Sequence, residues 1–227
     1  MYKETSINII YAADASVLQE ERLFAAAYNL ASDRRKQKTD RYCFLKDRCS
    51  SLGAELLLRK ALGDLGVYEF SFSYGEAGKP YLAGQNGLYF NLSHSGNYIL
   101  CAVSDHEIGC DIEIIRDTDL HIAKRFFHRN EYEIIASQTT DRAKSELFFR
   151  YWTLKESFLK ATGLGMQLPL DQFEILLKDE ISVIQNVDSR RYSFREYNNI
   201  DSCQCAVCTA DAPFHADLTM INLEECL

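Results

Sequence analysis

Two carboxylates stand two positions apart in a segment that predicts a β-strand. Residues 108–115 alternate apolar side chains with Asp111 and Glu113. Side chains at every second strand position share a face, so both carboxylates point the same way. Like charges side by side on one strand face repel each other, and a cation between them relieves that repulsion. An exposed strand face in water is the alternative that these residues leave open.

A third carboxylate lies in a segment that predicts a long helix. Residues 143–162 contain no Gly or Pro, and their apolar side chains cover most of a helix circumference, which is typical of a buried helix. Lys155, Glu156 and Lys160 fall on or beside this apolar surface. Charged groups in such surroundings need a partner, a metal or a ligand. An ordinary Glu156–Lys160 pair at helical spacing on a solvated edge is the alternative.

Together, the three carboxylates predict a divalent cation site. Mg²⁺ takes oxygen ligands and is typically held by a few carboxylates together with substrate phosphates and water. The cationic residues able to bind such phosphates are Lys79, His94, Lys155, Lys160 and the basic residues between positions 34 and 48. A metal ion beside several cations stabilises the charge of a polyphosphate during group transfer. The residues therefore predict phosphoryl-type transfer, without naming a substrate.

Composition restricts the class of protein. The chain has 227 residues, 47% of them hydrophobic, which suffices for one large domain or two small ones. A net charge of −8 argues against coating nucleic acid or an anionic membrane. The first ten residues lack the pattern of a signal peptide, and no apolar run approaches the ~20 residues of a membrane span. We therefore expect a cytoplasmic protein that binds neither nucleic acid nor membranes.

The eight cysteines lack the spacing of a disulfide framework. Cys203, Cys205 and Cys208 form the one cluster, in a run that alternates like a strand. No second cysteine or histidine pair follows to complete a metal site. We predict that these three are buried, reduced thiols.

Periodicity predicts helices and strands in two successive groups. In the first, we expect strands at 7–11, 70–74, 88–92, 98–103 and 108–115. We also expect helices at 17–30 and 51–62, and between them a basic helix that begins directly after a Ser32-Asp33 cap. Ser16 is the expected cap of the 17–30 helix, and Ser93, His94 and Ser95 are expected in a loop. In the second, we expect helices at 122–127, 131–136 and 143–162, then one antiparallel meander at 173–177, 181–187, 191–197 and 203–209, weakly closed by 221–222. The order indicates an α+β fold of two similar, tightly packed halves, residues 1–107 and 108–227.

Four short motifs then occur in order at fitting distances. They are Gly-Lys-Pro at 78–80, Phe-Asn-Leu-Ser-His-Ser at 90–95, Ile-Gly-Cys-Asp-Ile-Glu at 108–113 and Trp-Thr-Leu-Lys-Glu-Ser-Phe-Leu-Lys at 152–160. Each motif alone is weak, but the four in order are highly specific. Together they resemble the 4′-phosphopantetheinyl transferases of the surfactin-synthetase-activating type, and the resemblance covers almost the whole chain.

The resemblance implies a fold and a reaction. The fold would be two α/β subdomains related by pseudo-twofold symmetry within a monomer, with coenzyme A in the cleft between them. The reaction would move the 4′-phosphopantetheine arm of coenzyme A to a serine of an apo carrier protein and release adenosine 3′,5′-bisphosphate. Mg²⁺ would bind the pyrophosphate, with Mn²⁺ as the alternative metal. The carrier would belong to peptide, polyketide or fatty-acid synthesis.

The resemblance also implies residue roles. The metal ligands would be Asp111, Glu113 and Glu156. The contacts of coenzyme A would be Lys79, Ser93, His94, Lys155 and Lys160, with Arg34 or Arg35 as the early basic residue and Arg48 and Ser50 or Ser51 toward the adenosine end.

A mechanism follows as a hypothesis. Glu156 would take the proton of the carrier serine as a general base, directly or through water. Lys155 would stabilise the departing phosphate. Phe126, Phe127 and Tyr132 lie between the strand and the long helix, in the region that touches the carrier in this family. We therefore expect a hydrophobic docking patch there, with a core role for at least one of these rings equally open.

Two other functions remain open at this point. A metal-dependent nuclease or phosphodiesterase also uses acidic pairs followed by lysine, although the acidic net charge disfavours a duplex substrate. A non-catalytic protein that binds coenzyme A or a carrier is the second alternative. All three carboxylates and both lysines of the long helix are present, so nothing in the chain indicates a lost activity.

Overall fold

Strands and helices alternate irregularly along a computed structural model that describes residues 7–85, 87–212 and 216–227. The first part of the chain contains β1 (Asn8–Asp14), α1 (Glu21–Leu30), α2 (Asp33–Asp40), α3 (Leu45–Gly63), β2 (Phe72–Tyr74), β3 (Pro80–Leu82), β4 (Tyr89–Ser95) and β5 (Tyr98–Ser104). The rest contains β6 (Ile108–Ile114), α4 (His121–Phe126), α5 (Arg129–Ala136), α6 (Asp141–Thr162), β7 (Glu174–Leu176), β8 (Ser182–Ile184), β9 (Tyr192–Tyr197), β10 (Cys203–Ala210) and β11 (Leu218–Met220). This confirms a fold of mixed helix and strand.

The first sheet has the strand order β11-β1-β5-β4. Strands β4 and β5 form a hairpin in which Ser95 pairs with Tyr98, and Gly96 takes the positive φ of 57° that the tight turn requires. Helix α3 covers this sheet, because its apolar residues pack with those of β1, β4 and β5 in one core cluster. Gly53 permits this close packing, since a Cβ there would lie 2.6 Å from the side chain of Ile99.

The second sheet has the order β6-β10-β9, and α6 covers it. Aromatic rings fill the space between helix and sheet: Phe158 lies 4.8 Å from the ring centroid of Phe173 and 4.7 Å from that of Tyr192. Gly109 allows β6 to approach α6 closely, because a Cβ at this position would overlap the carbonyl oxygen of Ser157 and the amide nitrogen of Ala161. The sequence prediction for α6 is confirmed, including its end at Gly163, which has a left-handed φ of 74°.

The two sheets meet along β4 and β6. A third core cluster contains residues of both sheets, so their facing surfaces are apolar. Side chains link the two strands at their edges: Asn91 Oδ1 accepts a hydrogen bond from the Cys110 N–H at 3.1 Å, and Ser95 Oγ accepts one from the Ile114 N–H at 3.2 Å. The order of these contacts shows that β4 and β6 run in the same direction. The placement of residues 108–115 with the first group of strands was therefore wrong, because β6 pairs with β10.

The end of the chain returns to the first sheet. Strand β11 pairs in parallel with β1, with Ile10 opposite Leu218, and Leu223 joins the core beneath α3. The prediction that residues 221–222 close a meander of the second half was wrong. So was the single meander itself, because β7 and β8 pair only with each other among the described strands.

Two local predictions also need correction. The expected helix at 17–30 begins at Glu21, because Ala15–Gln19 form a 3₁₀ turn that Asp14, rather than Ser16, caps with its side chain. The Ser-His-Ser motif lies within β4 instead of a following loop, since the ladder to β5 continues to Ser95.

Other predictions are confirmed. Ser32 caps α2 by accepting a hydrogen bond from the Arg35 N–H. Cys203, Cys205 and Cys208 are buried free thiols on β10, and burial raises the pKa of each. Within residues 7–85, 87–212 and 216–227, the structure contains no helix with the length and apolar character needed to cross a membrane.

Candidate active site

Serines of β4 hold the paired carboxylates of β6. Ser93 Oγ donates a hydrogen bond to Asp111 Oδ1 at 2.7 Å, and Ser95 Oγ donates one to Glu113 Oε2 at 2.8 Å. The alternation of side chains along two strands that run in the same direction matches one serine to each carboxylate. Asp111 is 4% exposed and Glu113 is half-buried, so each carboxylate depends on these partners. Ser95 was not among the predicted site residues, although its position two residues after Ser93 was the available signal.

Helix α6 adds Lys160 to this pair. Lys160 Nζ donates to Asp111 Oδ1 at 2.6 Å, to Ser93 Oγ at 3.0 Å and to the Cys110 carbonyl oxygen at 3.1 Å. Burial is the largest single influence and lowers the pKa of Lys160, but the charge and hydrogen bond of Asp111 and the charges of Cys110 and Glu156 together outweigh it, so the pKa is raised. The ammonium group therefore stays charged beside the carboxylates.

Glu156 lies one helical turn before Lys160 and faces the same group of charges. Its pKa is raised, first by burial and then by the negative charges of Asp111 and Glu113. Burial and the charge of Asp111 likewise raise the pKa of Glu113. Side chains of β4, β6 and α6 are therefore brought into one electrostatic cluster, which we call the carboxylate cluster: Ser93, Asp111, Glu113, Glu156 and Lys160.

The carboxylate cluster has the donor chemistry of a hard divalent cation, but it is not a finished metal site. Asp111 Oδ2 is buried and has no hydrogen-bond partner, which leaves one oxygen free for a ligand. The acidic side chains of the carboxylate cluster would offer a metal only oxygen ligands, the type that Mg²⁺ prefers. Across the described part of the chain, however, no three His, Cys, Asp or Glu side chains converge as a ready metal site. Lys160 occupies the other oxygen of Asp111 in this arrangement.

A basic cavity of about 270 Å³ lies at the start of α2. Its cationic lining is Arg34, Arg35 and Lys38, with Tyr74 among the apolar lining residues. Arg34 stacks on the Tyr74 ring at 3.9 Å, and Arg35 is paired with the buried Glu55 at 3.2 Å. Burial and the charges of both arginines lower the pKa of Lys38, so positive potential is concentrated here. Lys38 is one of the basic residues between positions 34 and 48 that the sequence predicts to bind phosphate, and its spacing from Arg34 and Arg35 places it on the same side of α2.

His94 is exposed on β4 and is influenced by cations of both the basic cavity and the carboxylate cluster. The pKa of His94 is lowered, first by partial loss of water around its ring and then by the charges of Lys38 and Lys160. Lys38 lines the cavity and Lys160 belongs to the cluster. The imidazole thus connects the two regions and offers neutral nitrogens to a ligand that spans them.

Lys79, a predicted contact of coenzyme A, forms its hydrogen bonds with other groups of the protein. Lys79 Nζ donates to Glu107 Oε2 at 2.5 Å and to the carbonyl oxygens of Ala161 and Ile108 at 3.1 and 3.2 Å. The side chain also lines a second cavity of about 270 Å³ together with Lys160. Lys79 therefore connects β6 to the end of α6 and borders the space next to the carboxylate cluster.

Lys155 does not reach the carboxylate cluster. Its side chain has 0% exposure, and its Nζ donates to Glu131 Oε1 at 2.8 Å and to the Phe173 carbonyl oxygen at 2.9 Å. The structure thus contradicts the prediction that Lys155 contacts coenzyme A or the departing phosphate. The physical reason is helical geometry, since consecutive side chains on a helix diverge by about 100°.

The predicted adenosine contacts at the start of α3 also lie elsewhere. Ser50 is 1% exposed and donates to the Gly96 carbonyl oxygen at 3.1 Å, while Ser51 is 3% exposed and accepts a hydrogen bond from Thr39. Arg48 lies 3.7 Å from Asp40 and stacks over Phe24. These contacts hold α3 against its neighbours, and none of the three side chains lines the basic cavity.

The three predicted docking residues separate into exposed and buried ones. Phe126, at the end of α4, is 46% exposed. Phe127 is 3% exposed and stacks on Phe148 with ring centroids 5.3 Å apart, so it belongs to the core. Tyr132 is half-buried and borders an open cavity with Phe127 and Arg129. Phe126 is thus the one of the three rings that is largely accessible to a partner.

Family models match most of the chain. Residues 107–208 match the family model of the 4′-phosphopantetheinyl transferase superfamily, and residues 19–106 match that of the 4′-phosphopantetheinyl transferase N-terminal region. Holo-[acyl-carrier-protein] synthase of Thermotoga maritima superposes on 47% of this chain and 64% of its own, with 18% identity and a TM-score of 0.38. That structural similarity is too limited to support a conclusion.

Curated relatives align over most of both chains. A 4′-phosphopantetheinyl transferase of Bacillus subtilis is 36% identical over 92% of this chain and 93% of its own. The transferase Sfp of Bacillus subtilis strain 168 is 34% identical over 86% and 89%, and HetI of a Nostoc species is 40% identical over 84% and 83%. On these similarities, the chain belongs to the 4′-phosphopantetheinyl transferase superfamily.

Proposed function

We infer that this chain transfers the 4′-phosphopantetheine arm of coenzyme A to a serine of an apo carrier protein. The single observation that carries this function is the meeting of Asp111, Glu156 and Lys160 next to a basic cavity, in a chain of this family. A substrate with a nucleotide at one end and a pyrophosphate in the middle matches that order of charges. The products are a holo carrier and adenosine 3′,5′-bisphosphate.

We propose that the phosphorylated nucleotide end of coenzyme A occupies the basic cavity. Arg34 and Lys38 supply the positive charge there, because Arg35 is already engaged by Glu55. We place His94 beside a ligand that connects the basic cavity and the carboxylate cluster, because cations of both regions, Lys38 and Lys160, act on its imidazole. The pyrophosphate would then lie beside Lys160, whose ammonium stays charged.

We propose Asp111, Glu113 and Glu156 as the residues that hold Mg²⁺, with Mn²⁺ as the alternative. The unpartnered Asp111 Oδ2 and the raised pKa values of Glu113 and Glu156 fit this role, since a cation would relieve their mutual repulsion. When bound, the metal neutralises charge on the pyrophosphate. Lys160 would exchange its contact with Asp111 for one with phosphate.

In the proposed reaction, the serine oxygen of the carrier forms a bond to the phosphorus next to the pantetheine arm. The bond from that phosphorus to the bridging oxygen breaks, and adenosine 3′,5′-bisphosphate leaves with the electron pair. Glu156 accepts the serine proton, directly or through water, and its raised pKa suits a general base. Lys160, rather than Lys155, stabilises the departing phosphate, because its ammonium is in the cluster.

The direct test is incubation of the full chain with an apo carrier, coenzyme A and Mg²⁺. We expect the carrier to gain about 340 Da, the mass of the phosphopantetheine arm, as measured by mass spectrometry. A panel of apo carriers from peptide, polyketide and fatty-acid synthesis identifies the substrate. Binding of coenzyme A without any mass gain across the panel would indicate a non-catalytic binding protein instead.

We propose that the carrier docks near Phe126. Because its ring is 46% exposed, we expect Phe126→Ala to raise the KM for the carrier with little effect on the KM for coenzyme A. Steady-state kinetics with varied carrier measures this effect. Leu30→Ala is the matched control, since Leu30 is 45% exposed but lies on α1. Equal carrier KM values for the two variants would place docking elsewhere.

The overall arrangement that we propose is a monomer of two subdomains, residues 1–107 and 108–227, related by pseudo-twofold symmetry, with the last residues from β11 onward packed on the first sheet. Support comes from the similar plan of the two sheets, each covered by one long helix, α3 with 19 residues and α6 with 22. We also propose the cytoplasm as its compartment, because eight free cysteines are typical of reducing surroundings.

A further inference from the structure

A buried ion pair involves the residue next to Glu156 on α6. Lys155 and Glu131 are each 0% exposed, and their charged atoms are 2.8 Å apart. Lys155 has three protons to donate: one goes to Glu131 and one to the carbonyl oxygen of Phe173. Its ammonium also lies 4.0 Å from the centroid of the Phe173 ring, a cation–π distance. The side chain is therefore fully used by protein partners.

Glu131 is equally engaged. Its Oε1 accepts hydrogen bonds from Lys155 and from the Ile175 N–H at 2.7 Å, and its Oε2 accepts one from the His128 N–H at 3.1 Å. The contact with His128 closes the capping box at the start of α5. One carboxylate thus connects α5, β7 and α6 at a single point.

Because the pair is buried, loss of either partner would destabilise the contact between α5 and α6. Both side chains are fully buried with their charged atoms 2.8 Å apart, so each charge is tolerated because the other is present. Removing one partner leaves an unpaired charge in an apolar interior, whereas replacing both with apolar side chains of similar size is often neutral.

Helix α6 is held from two opposite sides. On one side, β6 packs against Ser157 and Ala161 at Gly109, where no Cβ fits. At about 100° per residue, Lys155 lies roughly opposite Ser157 on the helix, and it binds α5 and β7 there. Glu156 lies between these two attachments, so the direction of its carboxylate depends on how α6 is rotated about its own axis.

We propose that Lys155 and Glu131 form a positioning pair that fixes the rotation of α6 and so directs Glu156 toward Asp111 and Glu113. Lys155 does not touch the substrate. This inference rests on the proposed transfer reaction, for which Glu156 is the base. It assigns Glu131, which lies outside the four motifs, a part in the same reaction.

The test compares Lys155→Met, Glu131→Met and Glu131→Gln with the double variant Lys155→Met/Glu131→Met in the full chain. We expect each single variant to lower kcat by about 100-fold, the scale of a misplaced catalytic group, with little change in the KM for coenzyme A. The melting temperature should fall as well. The double variant should regain most of the melting temperature and most of kcat, because no substrate contact has been removed.

Arg150→Met is the matched control, because Arg150 forms a more exposed pair on the same helix, with Glu196 at 2.7 Å. It should keep the kcat of the wild type. If Glu131→Met keeps the wild-type kcat while the double variant is as inactive as Lys155→Met, then Lys155 acts on the substrate and the inference is wrong. It is also wrong if every folded variant keeps kcat. Should the single methionine variants fail to fold, Glu131→Gln and the double variant decide the question.

Transfer by the wild-type chain distinguishes failure of the proposed function from failure of the positioning pair. Absence of transfer by the wild type across the carrier panel would overturn the proposed function, and this inference with it. Transfer by the wild type, with either contrary pattern among the variants, would overturn the positioning pair alone.

Discussion

The Glu156→Gln variant should lose transfer activity while coenzyme A binding is largely preserved. Glutamine keeps the shape of the side chain but cannot accept the serine proton, and removal of a general base lowers rates by about 10²–10⁴-fold. Binding depends mainly on cations that the substitution leaves in place, such as Arg34, Lys38 and Lys160. Mass spectrometry of the carrier measures transfer, and calorimetry with coenzyme A measures binding.

Glu146→Gln is the matched control for this experiment. Glu146 lies on the same helix, near its start, in an exposed i,i+4 pair with Arg142 at 2.8 Å. This variant should transfer the arm at the wild-type rate. Near-normal turnover by Glu156→Gln would remove Glu156 from the mechanism, whatever its position beside Asp111.

The Gly109→Ala variant should be severely destabilised. The added methyl group would overlap the Ser157 carbonyl oxygen and the Ala161 amide nitrogen, and these backbone atoms cannot rotate away as a side chain can. Forcing an extra group into a packed interior typically costs 1–3 kcal/mol, and a rigid backbone neighbour puts this site at about 3 kcal/mol or more. The free energy of unfolding from urea denaturation measures the loss.

Gly63→Ala provides the comparison for this substitution. Gly63 ends α3, and the nearest atom to an added Cβ is a ring carbon of Tyr68 at 3.7 Å, an ordinary contact. We expect its unfolding free energy to stay near the wild-type value or to rise slightly, because alanine favours helix. If both variants unfold alike, then β6 and α6 separate at little cost, and their close packing is not what holds Glu156 beside Asp111.

Local signals predicted most single elements of the fold. Cap and periodicity rules located α2 and α6, because both depend on neighbouring residues alone. Strand partners could not be predicted in the same way. An alternating strand such as β6 shows which face is apolar but not which sheet it joins, and the pairing of β11 with β1 depends on residues about 200 positions apart.

The candidate site was predictable to a similar degree. Strand alternation predicted that Asp111 and Glu113 share one face of β6, and in the structure serines of β4 bind both carboxylates. Lys155 was misassigned because a helix that is apolar nearly all round gives no sign of which charge points to which neighbour. The partner of Lys155 is Glu131, 24 positions earlier, and only the placement of α5 reveals it.

The return of β11 to β1 changes how the two halves are able to move. The chain passes from the first sheet to the second through residues 105–107 and returns to the first at Leu218. The second half is therefore attached to the first sheet at both of its ends, and a rotation about residues 105–107 alone would break hydrogen bonds between β1 and β11. We therefore expect the two sheets to keep their relative orientation when a ligand binds, with the adjustment confined to side chains.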